Sequence, residues 1–566
     1  MKYIITMFFF CFFTLLIKSE NLPDLKPILD AQIDKNVIEI PKGRYLLNLD
    51  KDGAYEFINL NNVKIHGNGA EIVCNSQERA LAFYNCKKVE ISDLFIDYDP
   101  LCFTQGKIIL KNDKENWFEV EIDSGYPTEN LTTGRIQFFD SETRELKKNS
   151  ITTYKGNYSS LDKIGERRYR AIKKGNWDAG ERIGDLVVFN VISHKKNAPP
   201  HAMYLKQCEE MSLNNIHIYS ANSFSFFEDN CSGNHYNQCV VDRGISKQGI
   251  STRLRSGNAD GINSNNARKG PIVENCRIKY NGDDCIIVNG RSFPICKIDK
   301  FNRLIYILSR VEQPLFEVRD SIQHVQYNGL KNDTILSVVS TYPYKPNTND
   351  ISFLISKYPH LLNKESYTKG LCLEVNFLPS NIESGDILYN LSHVGRGFII
   401  KNNEVGFNRS RGLLVKADKG IIEGNSISNC AMNGILVSPE INWMGGGFSN
   451  DIIIRNNSIT ECMYEKTNFG MPPGSLSIFS STGDGKISIN GAFRNISVYN
   501  NVFFSCPFPC IVFTSVKGLL AEQNKIIQNS IFPREHGKSF GTDFSLPIWE
   551  INNEKNQNSP TNKIDF

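Results

Sequence analysis

In the C-terminal half of the chain, short runs alternate apolar and polar residues and close on asparagine. Ile399-Ile400-Lys401-Asn402-Asn403, Ile421-Ile422-Glu423-Gly424-Asn425, Ile453-Ile454-Arg455-Asn456-Asn457, Val498-Tyr499-Asn500-Asn501 and Ala521-Glu522-Gln523-Asn524 follow one another. Their closing asparagines stand 22, 32, 44 and 23 residues apart. The first and last intervals set the period. The 32 reads as one period carrying a loop, and the 44 as two periods, with the stretch 476–489 supplying the second. A unit this short cannot bury its own apolar face, so successive units must stack into a continuous core. Asparagine suits the turn because it tolerates left-handed backbone and its amide can bond the next unit. Val63-Lys64-Ile65, Val89-Glu90-Ile91, Ile216-His217-Ile218, Val240-Val241-Asp242 and Ile272-Val273-Glu274-Asn275-Cys276 carry the pattern earlier. A β-sandwich would also give short strands, but hardly this repeated asparagine turn. The pattern predicts an all-β chain wound as a right-handed parallel β-helix.

Two stretches interrupt the rhythm. Strand-like runs at 106–110, 117–122, 135–139 and 186–190, and again at 304–308, 335–339, 371–375 and 387–389, are separated by polar turns without the asparagine signature. Each stretch reads as a small antiparallel β-barrel or sandwich inserted into the coil, of normal domain size. The expected organisation is a leader at 1–19 and coils at 20–100, 196–292 and 393–540. The insertions occupy 101–195 and 293–392, and a tail at 541–566 caps the open end or frays.

Composition narrows the function classes. The 566 residues exceed one ordinary core, as a repeat architecture allows. With 64 basic and 61 acidic side chains the net charge is only +3, which argues against a nucleic-acid partner. Lys2, the apolar run 4–17 and polar Lys18-Ser19-Glu20 read as an export signal, too short for a membrane span of roughly 20 residues. The expectation is an exported protein, periplasmic, cell-surface or secreted, with no stable membrane insertion once the signal is removed. Cys86, Cys231, Cys276 and Cys430 each follow asparagine, and Cys208, Cys239 and Cys462 follow other polar residues at similar coil positions. A small side chain recurring at one coil position suits an internal stack of buried free thiols better than disulfides. Cys506 and Cys510 are the candidate exception, and the lack of any Cys-x-x-Cys pair speaks against structural zinc.

The chemistry concentrates in Asn258-Ala259-Asp260-Gly261-Ile262 and Gly282-Asp283-Asp284-Cys285. Asp260 and Asp283 are 23 residues apart, close to one coil, so the three acids fall on neighbouring strands. Each one alone reads as a turn residue, but three in register form a candidate acid/base cluster. Adjacent carboxylates raise one pKa, which separates a proton donor from an ionised partner. Such a cluster also attracts hard cations, so calcium binding is the rival reading. Gly261 and Gly282 leave backbone open beside the acids for close ligand approach.

Asn-Ala-Asp-Gly-Ile followed by Gly-Asp-Asp-Cys resembles the Asn-Thr-Asp and Gly-Asp-Asp signatures of polygalacturonases. The downstream Gly-His-Gly of those enzymes is missing here, and the only Arg-Ile-Lys, Arg277-Ile278-Lys279, precedes the aspartate pair. The stretches 38–45, 253–287, 409–423 and 438–457 are more similar to glycoside hydrolase family 110, the exo-acting α-1,3-galactosidases. That resemblance implies a β-helix interrupted by two small barrels, and an inverting hydrolase with no metal or organic cofactor. It implies a galactose-terminated oligosaccharide or glycoconjugate as substrate, and Asp260, Asp283 and Asp284 as the catalytic set. By analogy with polygalacturonases, Asp283 is expected as the general acid, with Asp260 and Asp284 activating water. Inversion asks for acid and base about 6.5–9.5 Å apart, whereas stacked coils give about 5 Å, so the acid must splay outward. Arg255, Asn263, Arg411, Lys416, Glu440 and Trp443 are the candidate sugar-binding residues, supplying polar groups and one aromatic platform. His201 and His235 read as ordinary coil residues. Two alternatives remain, a polygalacturonase-like hydrolase of acidic polysaccharide and a non-catalytic β-helical glycan-binding protein.

Overall fold

A computed structural model describes residues 22–565 except 50–53, 149, 152–156, 176, 193–199, 245–249, 310–314, 359–368, 441–443, 466–471, 483–484, 530–537 and 556–561. The leader expected at 1–19 lies outside the described residues. Among those described, no helix is long and apolar enough to cross a membrane.

The chain winds as a parallel β-helix whose coils each contribute three short strands. Ile399–Lys401 and Glu404–Gly406 flank the asparagine turn, and Leu413–Val415 forms the third side. Each strand pairs in parallel with its equivalent in the next coil: Ile399 with Ile421, Glu404 with Ser426, Leu413 with Ile435. Alternation then sends Ile400, Ile422, Ile454 and Val498 inward as one buried row. A short helix, Lys26–Asp30, stands at the N-terminal end.

The turn divides asparagine's two duties between neighbouring positions. Asn402, Gly424, Asn456, Asn500 and Gln523 take the left-handed backbone. The next residues, Asn403, Asn425, Asn457, Asn501 and Asn524, are buried and form a ladder. Asn425 donates from N and Nδ2 to Asn457 Oδ1, both at 2.9 Å, and Asn457 does the same to Asn501 at 3.0 and 2.9 Å.

That ladder corrects one spacing. Asn457 reaches Asn501 directly, and Arg455 pairs with Tyr499, so the 44-residue interval is one coil with long loops. Leu476–Ile478 is the third side of that same coil, between Ile435 and Ile511, and no further coil lies there among the described residues. The tail is also corrected. Ile548–Ile551 pairs with the strand Ile511–Thr514, Lys563–Asp565 pairs with Lys525–Asn529, and Asn562 accepts from Asn524. The end of the chain therefore adds a coil, which loops had hidden by stretching its period.

Coil thiols including Cys86, Cys208, Cys231, Cys239, Cys276 and Cys430 are buried and free, as their recurrent position implies. Each insertion carries its own apolar core. The first is a six-stranded antiparallel sheet formed from Phe103–Asn112, Trp117–Ile122, Leu131–Phe139, Tyr158–Lys163, Arg168–Lys173 and Leu186–Val191. Its core continues onto Leu254, Ala431 and Tyr464 of the coils, which ties it to the helix. The second is a closed antiparallel barrel spanning Ser292–Asp299 to Ile387–Asn390.

Candidate active site

The three aspartates stand at the corner just before third-side strands, Asp260 before Ile262–Asn265 and the pair before Ile286–Asn289. Backbone hydrogen bonds fix what stacks on what. Ala202 N donates to Phe224 O, Ser225 N to Asp260 O, Gly261 N to Asp284 O, and Cys285 N to Arg411 O. The corner column therefore runs His201, Phe224, Asp260, Asp284, Arg411. Asp260 stacks on Asp284 rather than on Asp283, and strand register agrees, with Ile262 opposite Ile286.

Asp260 and Asp284 are buried, at 4% and 2% exposure, and Asp283 keeps 17% of its side chain exposed. One carboxylate oxygen from each lies within 4.8 Å of the other two. The splay that inversion asks for is thus not present in the free site. Asn263 Nδ2 donates to Asp260 Oδ2 at 2.8 Å, and Asp284 N donates to Asp260 Oδ1 at 3.3 Å. Asp283 instead meets two guanidiniums, with Arg409 Nη2 on Oδ1 and Arg135 Nη2 on Oδ2 at 3.0 Å. Arg411 binds Asp284 twice, through its amide and Nη2, both at 2.8 Å.

These partners separate the three acids electrostatically. Burial, with the charges of Asp283 and Asp284, pushes Asp260 well above the usual carboxylate range. Burial also raises Asp284, as does Asp283, against the pull of Arg411. Burial opposes ionisation of Asp283 too, yet Arg409, Arg135 and Arg411 together hold it at about 2. These directions favour the proton on Asp260 and the charge on Asp283, whereas the analogy expects Asp283 as the acid. The reason is the arginine pair, which the analogy did not include. The same three oxygens have a spacing that could hold a cation, but the guanidiniums already bring the positive charge such an ion would supply.

The glycines have a different reason from the one expected. A Cβ on Gly261 would stand 2.2 Å from Ile278 Cγ2, and one on Gly282 2.6 Å from Asn258 O. Close coil packing, not ligand approach, demands glycine at both.

The sugar-binding candidates divide. Asn263, Arg411, Lys416 and Glu440 join the site. Lys416 Nζ pairs with Glu440, and Arg411 Nη2 lies 3.4 Å from the other Glu440 oxygen. Burial opposes the Glu440 charge, but Lys416 and Arg411 lower its pKa. Arg255 does not join. At 1% exposure, its Nη1 donates to Gln137 at 2.8 Å and its Nη2 to Asn190 at 2.7 Å and Asn258 at 2.6 Å. It clamps the first insertion onto the Asp260 coil. Trp443 lies outside the described residues. His235 pairs with Glu274 at 2.7 Å, and buried His201 is held down to about 3 by burial and by Arg79.

Arg409 and Arg135, which pair with Asp283, are not among the sequence candidates. Arg409 stands two positions before Arg411, so the corner position of its coil was the available signal. Arg135 had none, because it comes from the first insertion, where it takes left-handed backbone and donates Nη1 to Asn258 O at 2.8 Å. At the second insertion, Gly446 N donates to Gly290 O at 2.7 Å and Ser292 N to Met444 O at 3.1 Å. This ties the Glu440 loop to the barrel's first strand.

Comparison with known proteins places the chain among carbohydrate-active relatives. Residues 188–299, which carry all three aspartates, match Glycosyl hydrolases family 28. Alpha-1,3-galactosidase B of Akkermansia muciniphila is 21% identical over 90% of this chain, which spans 63% of that relative's length. Alpha-1,3-galactosidase B of Bacteroides thetaiotaomicron is 22% identical over 85% of this chain and 76% of its own. Among solved structures, the mannuronan C-5 epimerase AlgE6 A-module of Azotobacter vinelandii covers 95% of this chain and 96% of its own, at 9% identity and a TM-score of 0.38. The similarity to α-1,3-galactosidases thus extends over most of the chain and supports a glycoside hydrolase.

Proposed function

We propose that the protein is an exo-acting glycoside hydrolase that releases terminal α-1,3-linked D-galactose from glycans. The observation that carries this reading is one corner where three carboxylates lie within 4.8 Å but have different partners, Asn263 on Asp260 and two guanidiniums on Asp283. Burial and the neighbouring carboxylates raise the first, whereas at the second burial yields to the guanidiniums, which lower it. Glycoside hydrolysis needs such a pair. Asp260 gives its proton to the glycosidic oxygen as the bond from the anomeric carbon to that oxygen breaks. Water attacks the anomeric carbon and loses a proton to the Asp283 carboxylate. Asp284, fixed by Arg411, keeps Asp260 protonated and orients it through its own backbone amide. Galactosidases among the relatives support the choice of sugar, and exo action fits a site that Arg135 of the first insertion borders and whose Glu440 loop the second insertion holds. Inversion is the finer reading, and it requires the bound sugar to part Asp260 from Asp283 far enough to admit water. Export, from the leader-like N-terminus, suits a substrate outside the cell.

Incubation with galactose-α-1,3-galactose tests the reading through the appearance of free galactose. Release from polygalacturonic acid instead would favour the acidic-polymer alternative.

A further inference from the structure

The corner column that carries the acids changes character on its N-terminal side. Phe224 occupies the position of Asp260 one coil earlier, as the hydrogen bond from Ser225 N to Asp260 O fixes. His201 occupies it one coil before that, and its ring stacks on Phe224 at 4.7 Å between centroids and 13° between planes. Phe227 is in strand register with Asn263, the residue that holds Asp260. Its ring lies 4.4 Å from His201 and 5.4 Å from Phe224. Tyr204 stacks behind Phe227 at 5.4 Å and is covered in turn by the Arg79 guanidinium, 4.2 Å above its ring. Tyr204 and His201 are buried, whereas Phe224 and Phe227 both keep part of their surface exposed.

The result is an aromatic ledge backed by two buried rings and ending at the carboxylates. On the opposite side of the acids stand Arg411, Lys416 and Glu440, all charged. A pyranose at this corner meets carbon on one side and hydrogen-bonding groups on the other. Galactose has the matching asymmetry. Its axial 4-hydroxyl leaves the hydrogens of C3, C4 and C5 together on one face, which packs against an aromatic ring. Glucose, with an equatorial 4-hydroxyl, lacks that continuous face.

We infer that Phe224 and Phe227 form the platform for the apolar face of the terminal galactose ring, and so select galactose over glucose at the cleavage site. This rests on the hydrolase reading for the identity of the sugar, but it is a statement about binding and is tested without turnover.

Saturation-transfer NMR with free galactose reads it directly. In the wild-type protein, irradiation of aromatic protons is expected to saturate H3, H4 and H5 of galactose more than H1 and H2, with glucose showing little transfer. Phe224→Leu and Phe227→Leu, which keep the apolar volume, are expected to weaken galactose binding about tenfold each and to flatten that pattern. Unchanged affinity in both variants would overturn the platform, as would strongest saturation at H1 and H2 or no galactose binding by the wild type. Galactose bound in the expected pattern without any hydrolysis would leave the platform standing and remove the hydrolase reading instead.

Discussion

Asp284 lies one coil beyond Asp260 and donates its amide to Asp260 Oδ1 at 3.3 Å, so the two carboxyls share one buried corner. Asp283, next in sequence, turns away to Arg409 and Arg135. A single residue of register therefore decides which acid shares the buried corner with Asp284 and which meets the guanidiniums.

Replacement of the acids should separate their roles. Asp260→Asn and Asp283→Asn are each expected to lower kcat on galactose-α-1,3-galactose by about 10²–10⁴-fold. With α-galactosyl fluoride, whose leaving group needs no proton, Asp260→Asn should retain most of its activity and Asp283→Asn should not. The opposite pattern would return the acid role to Asp283. Steady-state kinetics on the two substrates makes the distinction.

The same partners set the pH response. Activity needs Asp260 protonated and Asp283 ionised, so kcat/KM should fall as pH rises through the elevated Asp260 pKa. On the acid side Asp283 fails only near about 2. Stability follows the same signs. Asp283, depressed in the fold, contributes stability above the unfolded carboxylate value of about 4, lost as pH falls through about 2. Asp260 is raised, so the unfolded chain releases its proton first and stability declines as pH climbs from about 4 toward the folded pKa. At neutral pH, Asp260→Asn should therefore raise Tm and Asp283→Asn should lower it by leaving two guanidiniums unpaired. Equal shifts in one direction, seen by calorimetry, would contradict the charge assignment.

Arg135 gives the first insertion a part in the site. Arg135→Met removes one of the two guanidiniums that hold Asp283 down, so the acid limb of the pH–rate profile should move to higher pH. Arg135→Lys should move it less, because the charge stays while the paired contacts to Asp283 Oδ2 and Asn258 O do not. A profile unmoved by both substitutions would reduce Arg135 to a tether.

Asn457 is the point where the ladder crosses the longest loops. Its side chain also donates to Ile422 O and Arg455 O, both at 3.0 Å. Asn457→Ala strands the two Asn425 donors and removes the donor to Ile422 O, and should cost about 2–4 kcal/mol in chemical denaturation. Turnover at the distant aspartates should stay near wild type.

How far these relationships were legible depends on how local their causes are. Coil period, asparagine turns, buried cysteines and the aspartate trio are repeats or motifs, each marked within a few residues. The coil at Asn501 was misread because interval alone cannot tell two short coils from one coil with long loops. Pairing of Leu476 with both Ile435 and Ile511 can. Arg255 looked like a site residue from its closeness to Asp260 in sequence, but its guanidinium is buried against Gln137 and Asn190 of the first insertion. Arg135 and Phe224 carried no mark at all. One comes from a different domain, and the other matters only because Phe224 falls at the corner position of Asp260 one coil earlier.

If this carboxylate corner hydrolyses terminal α-1,3-linked galactose, the released sugar reports it. The most direct test follows the methyl β-glycoside of galactose-α-1,3-galactose, whose leaving sugar cannot mutarotate, by proton NMR from the first turnover, in the wild type and in Asp283→Asn. Free galactose should appear first as the β-anomer with the wild type, and its release should all but vanish in a variant that still binds galactose. No release by the wild type, or equal release by the two proteins, would contradict the account. First appearance of the α-anomer would keep the hydrolase and overturn inversion.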